Sequence, residues 1–217
     1  ISETADVVST KYLGLILDND LSWTPHINLL CNKLSTGLYV LRRIKSISDP
    51  STTKIAYYAL LEAHIRYGIV VWGGTTTGNL KRVLLQQKRA VRIMGNLQSR
   101  ESCRDTFRNL KILTVISLYI LEVVTYVHIK APEVVRRGTQ ILQYNTRHAT
   151  NYHLPVHHLS STEKKPNYIG AKMWNSLPEE LKKMAPQQFS RHLKTWLQDR
   201  PFYSLAEFFD WRTLPLF

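Results

Sequence analysis

The sequence predicts a mainly α fold: a helical bundle with one short β-strand at its N-terminal end and a smaller helical region at its C-terminal end. Two observations carry this. Apolar residues recur at intervals of three and four over long stretches, and a capping residue followed by proline stands where such stretches begin. At 217 residues and 44% hydrophobic, the chain can bury a core as one large or two small domains.

Taken in order, Tyr12 to Leu17 is a short apolar run rich in strand formers. It reads as one strand, with Gly14 where a side chain would crowd a close neighbour. Asn19-Asp20 makes a turn, and Thr24-Pro25 caps and opens a helix of about 20 residues whose stripe is Ile27, Leu30, Leu34, Leu38, Leu41 and Ile44. Asp49-Pro50 repeats the signal for a second, antiparallel helix carrying Ile55, Ala59, Leu60 and Ala63. On a third, Leu80, Leu84, Gln87, Val91 and Met94 share one face, Lys81, Lys88 and Arg92 another, and Arg82 and Arg89 flank it, with Gly95 as the stop. Thr114 to Lys130 is nearly all apolar apart from Glu122 and predicts a buried fourth helix. Pro132 to Pro166 lacks periodicity and reads as a linker or functional loop. Short helices follow at Tyr168 to Trp174, Pro178 to Met184 and Phe189 to Leu197, and the terminal Phe202, Tyr203, Phe208 and Phe209 pack back. The implied segments are 1–20, 21–131, 132–166 and 167–217.

Charge narrows the function classes. The net charge is +13, and from Leu21 to Arg100 only Asp49 and Glu62 offset the lysines and arginines. Such a block fits a polyanion surface, because each neutralised phosphate releases counterions. A solvated basic face or an anionic membrane surface are the other readings. The first candidates for phosphate contact are Lys81, Arg82, Lys88, Arg89 and Arg92. Lys33, Arg42 and Arg43 on the first helix come second, Arg42 and Arg43 being adjacent and so not pointing the same way.

A catalytic constellation is missing. There is no Asp-Asp pair, no P-loop, no G-x-S-x-G and no G-x-G-x-x-G; Asp18 and Asp20 read as turn acceptors. Cys31 and Cys103 are too few for a disulfide framework and read as core thiols of an intracellular chain. His148, His153, His157 and His158 gather without a compact metal-ligand spacing; Arg147 and His148 suit a loop donating to a phosphate or a backbone carbonyl. Tyr67, Trp72, Trp174 and Trp196 could stack bases, but their apolar neighbours place all four in the core. No apolar run reaches membrane-span length and no leader opens the chain. Ile1 as first residue reads as a piece of a longer product.

Several strings carry a family resemblance. They are Lys11-Tyr12-Leu13-Gly14-Leu15-Ile16-Leu17-Asp18 with Leu21-Ser22-Trp23 and His26-Ile27; Leu85 to Ile93; Leu110 to Val127 as L-x-I-L-x(5)-Y-x-L-E; Tyr144 to His148; and Gly170 to Leu181 as G-x-K-x-W-N-x-L-P-x-x-L. In order and spacing the chain resembles the palm end, thumb and C-terminal linker of reverse transcriptases of non-LTR (LINE-type, jockey-like) retrotransposons. The resemblance implies that 1–20 is a strand left from the palm sheet, with Tyr12 and Gly14 near the primer end. It implies that the basic helix contacts template and primer, and that the parent works with Mg²⁺ in nucleus and cytoplasm. The catalytic carboxylates, fingers and remaining palm are absent from this sequence, so no cofactor is assigned to the chain itself and no activity of its own is expected. The alternatives are a helical module binding an acidic protein or anionic surface, and a decayed retroelement fragment.

Overall fold

The computed structural model of the chain describes residues 9–130, 151–154, 156 and 160–213, with the backbone alone at 130, 160 and 161. These residues are mainly helical, with a two-stranded antiparallel sheet at the N-terminal end. Two compact units divide the chain: Ile1–Gly68 with Thr75–Cys103, and Ile69–Gly74 with Arg104–Phe217.

The first unit opens on β1 (Ser9–Tyr12) and β2 (Leu15–Asp18), paired from Ser9↔Asp18 to Tyr12↔Leu15. This corrects the single strand expected over Tyr12 to Leu17. Leu13 and Gly14 take φ values of 46° and 79°, the left-handed pair of a two-residue hairpin turn, and the chain reverses there. Gly14 is thus required by its backbone, while a Cβ on it would come no closer than 3.4 Å to the Tyr67 ring.

Asp18 then organises the entry to α1 (Thr24–Ile47). Its backbone carbonyl accepts from Leu21 N–H, and its carboxylate accepts from Ser22 N–H and Trp23 N–H, both at 3.0 Å. Partial burial opposes ionisation of this carboxyl, but the bonds from Ser22 and Trp23 outweigh it and hold the pKa below the usual range. Asp18 is therefore a turn acceptor, as the sequence suggests. Trp23, not Thr24, precedes the helix, in the left-handed region at φ 65°; Thr24 is helical and does not cap. The expected stripe of α1 is buried from Ile27 to Leu41, with Ile44 half-buried.

Asp49 caps α2 (Pro50–Tyr57), as its place before proline predicts, accepting from Ser51 and Thr52 N–H. A π-helical turn, Tyr58–Glu62, follows, and then α3 (Ala63–Arg66). The buried face is Thr53, Ala56, Tyr57, Leu61 and Ile65, whereas Ile55 is 66% exposed and Ala59 and Ala63 are exposed. Of the apolar residues expected on this helix, Ile55, Ala59 and Ala63 are thus outward and Leu60 is half-buried. The extra residue in the π turn shifts the apolar stripe by one position.

After α4 (Ile69–Trp72) comes α5 (Thr77–Gly95). The Thr76 hydroxyl caps α5 at Asn79 N–H, and Asn96, in the left-handed region at φ 54°, ends it one residue beyond the expected Gly95. Thr75 Oγ1 donates to Ser22 O and Asn79 Nδ2 to Thr24 Oγ1, while Arg82 donates to Asn28 Oδ1. Both segments advance together through these contacts, so α5 runs parallel to α1. Leu80, Val83, Leu84, Ala90 and Val91 meet the α1 and α2 residues in the core, where Gln87 Nε2 donates to the fully buried Tyr57 hydroxyl.

The second unit contains α4, α6 (Arg104–Asn109), α7 (Val115–Thr125) with a π turn Tyr126–Lys130, α8 (Ser160–Glu163), α9 (Pro166–Ser176), α10 (Glu179–Lys182), α11 (Pro186–Gln198) and α12 (Leu205–Phe209). Thr114 caps α7 and donates to Phe202 O, and α7 is buried almost throughout, packing on α4, α9 and α11. The helix expected as the fourth member of one bundle therefore groups with the C-terminal helices. α9 approaches α7 closely at Gly170, where a Cβ would meet Val127 Cγ2 at 2.5 Å. Asn175 grips the Tyr152 backbone by two bonds, at 2.8 and 2.9 Å, so this part of the expected loop is docked.

Candidate functional site

At about 100° per residue, Lys81, Arg82, Lys88, Arg89 and Arg92 fall in one arc of about 120° on α5, opposite Val83, Gln87, Ala90 and Met94. The burial agrees: those four are buried, Lys81, Arg82 and Arg89 are exposed, and Lys88 and Arg92 are half-buried. The uninterrupted period of this helix is what makes the arc legible in the sequence.

Neighbouring groups hold several of these cations in place. Arg82 donates to Asn28 Oδ1 at 2.6 Å and to Asn79 Oδ1 at 3.3 Å. Arg89 donates to Gln86 Oε1, and Arg92 to the Glu101 carbonyl at 3.2 Å. All these acceptors are neutral, so the charges are oriented without being cancelled. The two acids between Leu21 and Arg100 are engaged elsewhere, Asp49 at its helix start and Glu62 with Arg66 at 2.9 Å. Asn28 and Asn79, which the sequence reading passed over, fix the orientation of Arg82. Their signal was only positional: an amide at a helix start and another within reach of it.

The buried thiols register the same charges. Burial pushes Cys31 up against the opposing effect of Arg82, and pushes Cys103 up against Arg92 and Lys88. Both are core thiols kept in the unreactive form.

The secondary candidates do not join this arc as a set. Lys33, Arg42 and Arg43 are all exposed, but Lys33 and Arg42, nine residues apart, project from opposite sides of α1. Arg43 turns onto Tyr39, with its guanidinium 5.7 Å from the ring centre. Burial, and then Lys33, keep His26 below the ordinary histidine range.

Tyr12 is 64% exposed on β1 beside the Leu13-Gly14 turn. Tyr67, expected in the core, is 55% exposed and donates its hydroxyl to Leu13 O, which ties the hairpin to the end of α3. Trp72 and Trp174 are buried as expected; Trp196 is only half-buried, against Phe202, Phe208 and Trp211. Arg147, His148, His157 and His158 lie outside the described residues, and His153 is exposed.

Among the described residues no three His, Cys, Asp or Glu side chains gather to hold a metal ion. Of the two close aspartates, Asp18 has both carboxylate oxygens taken by the turn. No helix of the described residues is long and apolar enough to cross a membrane. No protein-family model, curated protein or solved structure matches the chain.

Proposed function

We propose that this chain is a non-catalytic C-terminal part of an RNA-directed DNA polymerase of the non-LTR retrotransposon type, and that its first unit holds the template–primer duplex as a thumb. The observation that carries this is the α5 arc. Five cations share one side of the helix, three of them exposed, and the carboxylates of the same segment are engaged elsewhere. Neighbouring cations on one helix side lie roughly 5–6 Å apart, a spacing suited to successive backbone phosphates. The ordered strings from Lys11 to Leu181 support the polymerase identity. The catalytic carboxylates and their Mg²⁺ belong to the parent, so the chain alone incorporates no nucleotides.

A second reading, an acidic protein partner, is favoured by Leu85, which is 47% exposed in the middle of the arc. Bare phosphate has no use for such a side chain.

Lys81 and Arg89 are exposed, and the Arg89 bond reaches only Gln86 one turn away on the same helix, so Lys81→Glu with Arg89→Glu should leave the fold intact. Loss of two phosphate contacts should weaken binding of an RNA–DNA hybrid by about tenfold per contact near 0.1 M salt. Hybrid affinity unchanged in the folded double variant would remove α5 as the contact surface.

A further inference from the structure

The second unit carries a cationic groove that the sequence reading did not single out. Phe189, Leu193 and Leu197 bury one side of α11, which turns Gln188, Arg191, Thr195 and Asp199 outward with His192 beside them. With Leu181, Trp196 and Arg200 these residues line an open groove of about 710 Å³, within the size range of small-ligand sites.

Its chemistry is that of an anion site. Arg191 is exposed and makes no ion pair among the described residues. Arg200 lies over the Trp196 ring, 4.9 Å from its centre. The one carboxylate of the lining, Asp199, already accepts from Lys111 Nζ at 3.0 Å, so three cations stand against one acid. His192 donates through Nδ1 to Gln188 O, which leaves Nε2 as its remaining polar atom. Burial lowers the pKa of Arg200 against the opposing effect of Asp199, so an anion beside the guanidinium would offset a cost already present.

We infer that this groove binds a phosphate-bearing ligand of nucleotide size, with Arg191 and Arg200 on the phosphate and the Trp196 wall beside the sugar or base. Guanidinium groups match phosphate geometry bidentately, and an aromatic ring beside a cationic groove offers a surface on which a base stacks. The ligand is either a free nucleotide or one nucleotide of a single strand. This site stands on residues of the second unit and does not rest on the α5 reading.

The test is nuclear magnetic resonance of the full chain, following the amide signals of Gln188, Arg191, His192 and Thr195. The probes are adenosine triphosphate, inorganic phosphate and a single-stranded DNA of about 8 nucleotides. Saturable shifts with the triphosphate or the oligonucleotide are expected, and which of the two binds identifies the source. Arg191→Glu, at an exposed position, should weaken that binding about tenfold or more, as loss of one charge-assisted bond requires. Arg191→Lys should fall between, and Lys81→Glu with Arg89→Glu should change nothing here. No saturable shift with either nucleotide probe overturns the inference, as does equal affinity in folded Arg191→Glu. Inorganic phosphate bound as tightly as either nucleotide probe would overturn the assigned ligand size.

Discussion

Asp49 closes the start of α2 with three hydrogen bonds, two from the N–H groups of Ser51 and Thr52 and one from the Thr52 hydroxyl. The Thr52 hydroxyl and then its N–H hold the carboxyl below the ordinary aspartate range, with slight desolvation opposing and Ser51 N–H assisting. Because the folded pKa is the lower one, this contribution is complete above the unfolded value of about 3.9 and disappears as pH falls through the folded value. Asn caps as well as Asp but does not titrate. Asp49→Asn should therefore match the wild type in urea midpoint at neutral pH and lose less of it on acidification. Parallel acid limbs for the two proteins would show that the carboxylate is not held in this way. The cap was legible because donor and acceptor are two or three residues apart. The start of α1 was not, because its acceptor, Asp18, sits upstream of a left-handed Trp23. Tyr67 was misplaced for a related reason: its apolar sequence neighbours say nothing of a hydroxyl bonded to Leu13.

The π turn Tyr58–Glu62 decides which residues beyond Tyr57 continue the buried side of the second helix. Thr53, Ala56 and Tyr57 are buried ahead of it; a uniform 3.6-residue period from there selects Leu60 and His64, and one inserted residue hands the core to Leu61 and Ile65. Leu61→Ala should cost about 2–5 kcal/mol, since it empties a fully buried site, whereas Ile55→Ala should stay within about 0.5 kcal/mol. Urea unfolding of the two variants measures this, and a larger loss at Ile55 than at Leu61 would contradict this assignment of the buried face. On α1 and α5 no such insertion interrupts the stripe, and their faces were readable residue by residue. Their parallel packing was not, because it depends on the polar contacts of Thr75, Asn79 and Arg82 with residues more than fifty positions away.

At the scale of the whole chain, the mainly α class follows from periodicity and holds, while the grouping of helices does not follow. α7 reads as one more bundle helix, yet its partners are α4, α9 and α11, and Gly170 is the residue that lets α9 close on it. Local pattern shows that a helix is buried but not against what. Charge is different, since the basic excess between Leu21 and Arg100 is visible without any fold, and the structure adds the arc that concentrates part of it on α5. The central claim is that this arc meets phosphates, and the most direct test is fluorescence anisotropy of the whole chain with an RNA–DNA hybrid across a salt series. Three to five phosphate contacts at about −0.9 each predict a log–log slope between about −2.7 and −4.5, with the hybrid bound more tightly than either single strand. A folded chain that binds no hybrid at low salt, or binds it with a flat salt dependence, would contradict the account.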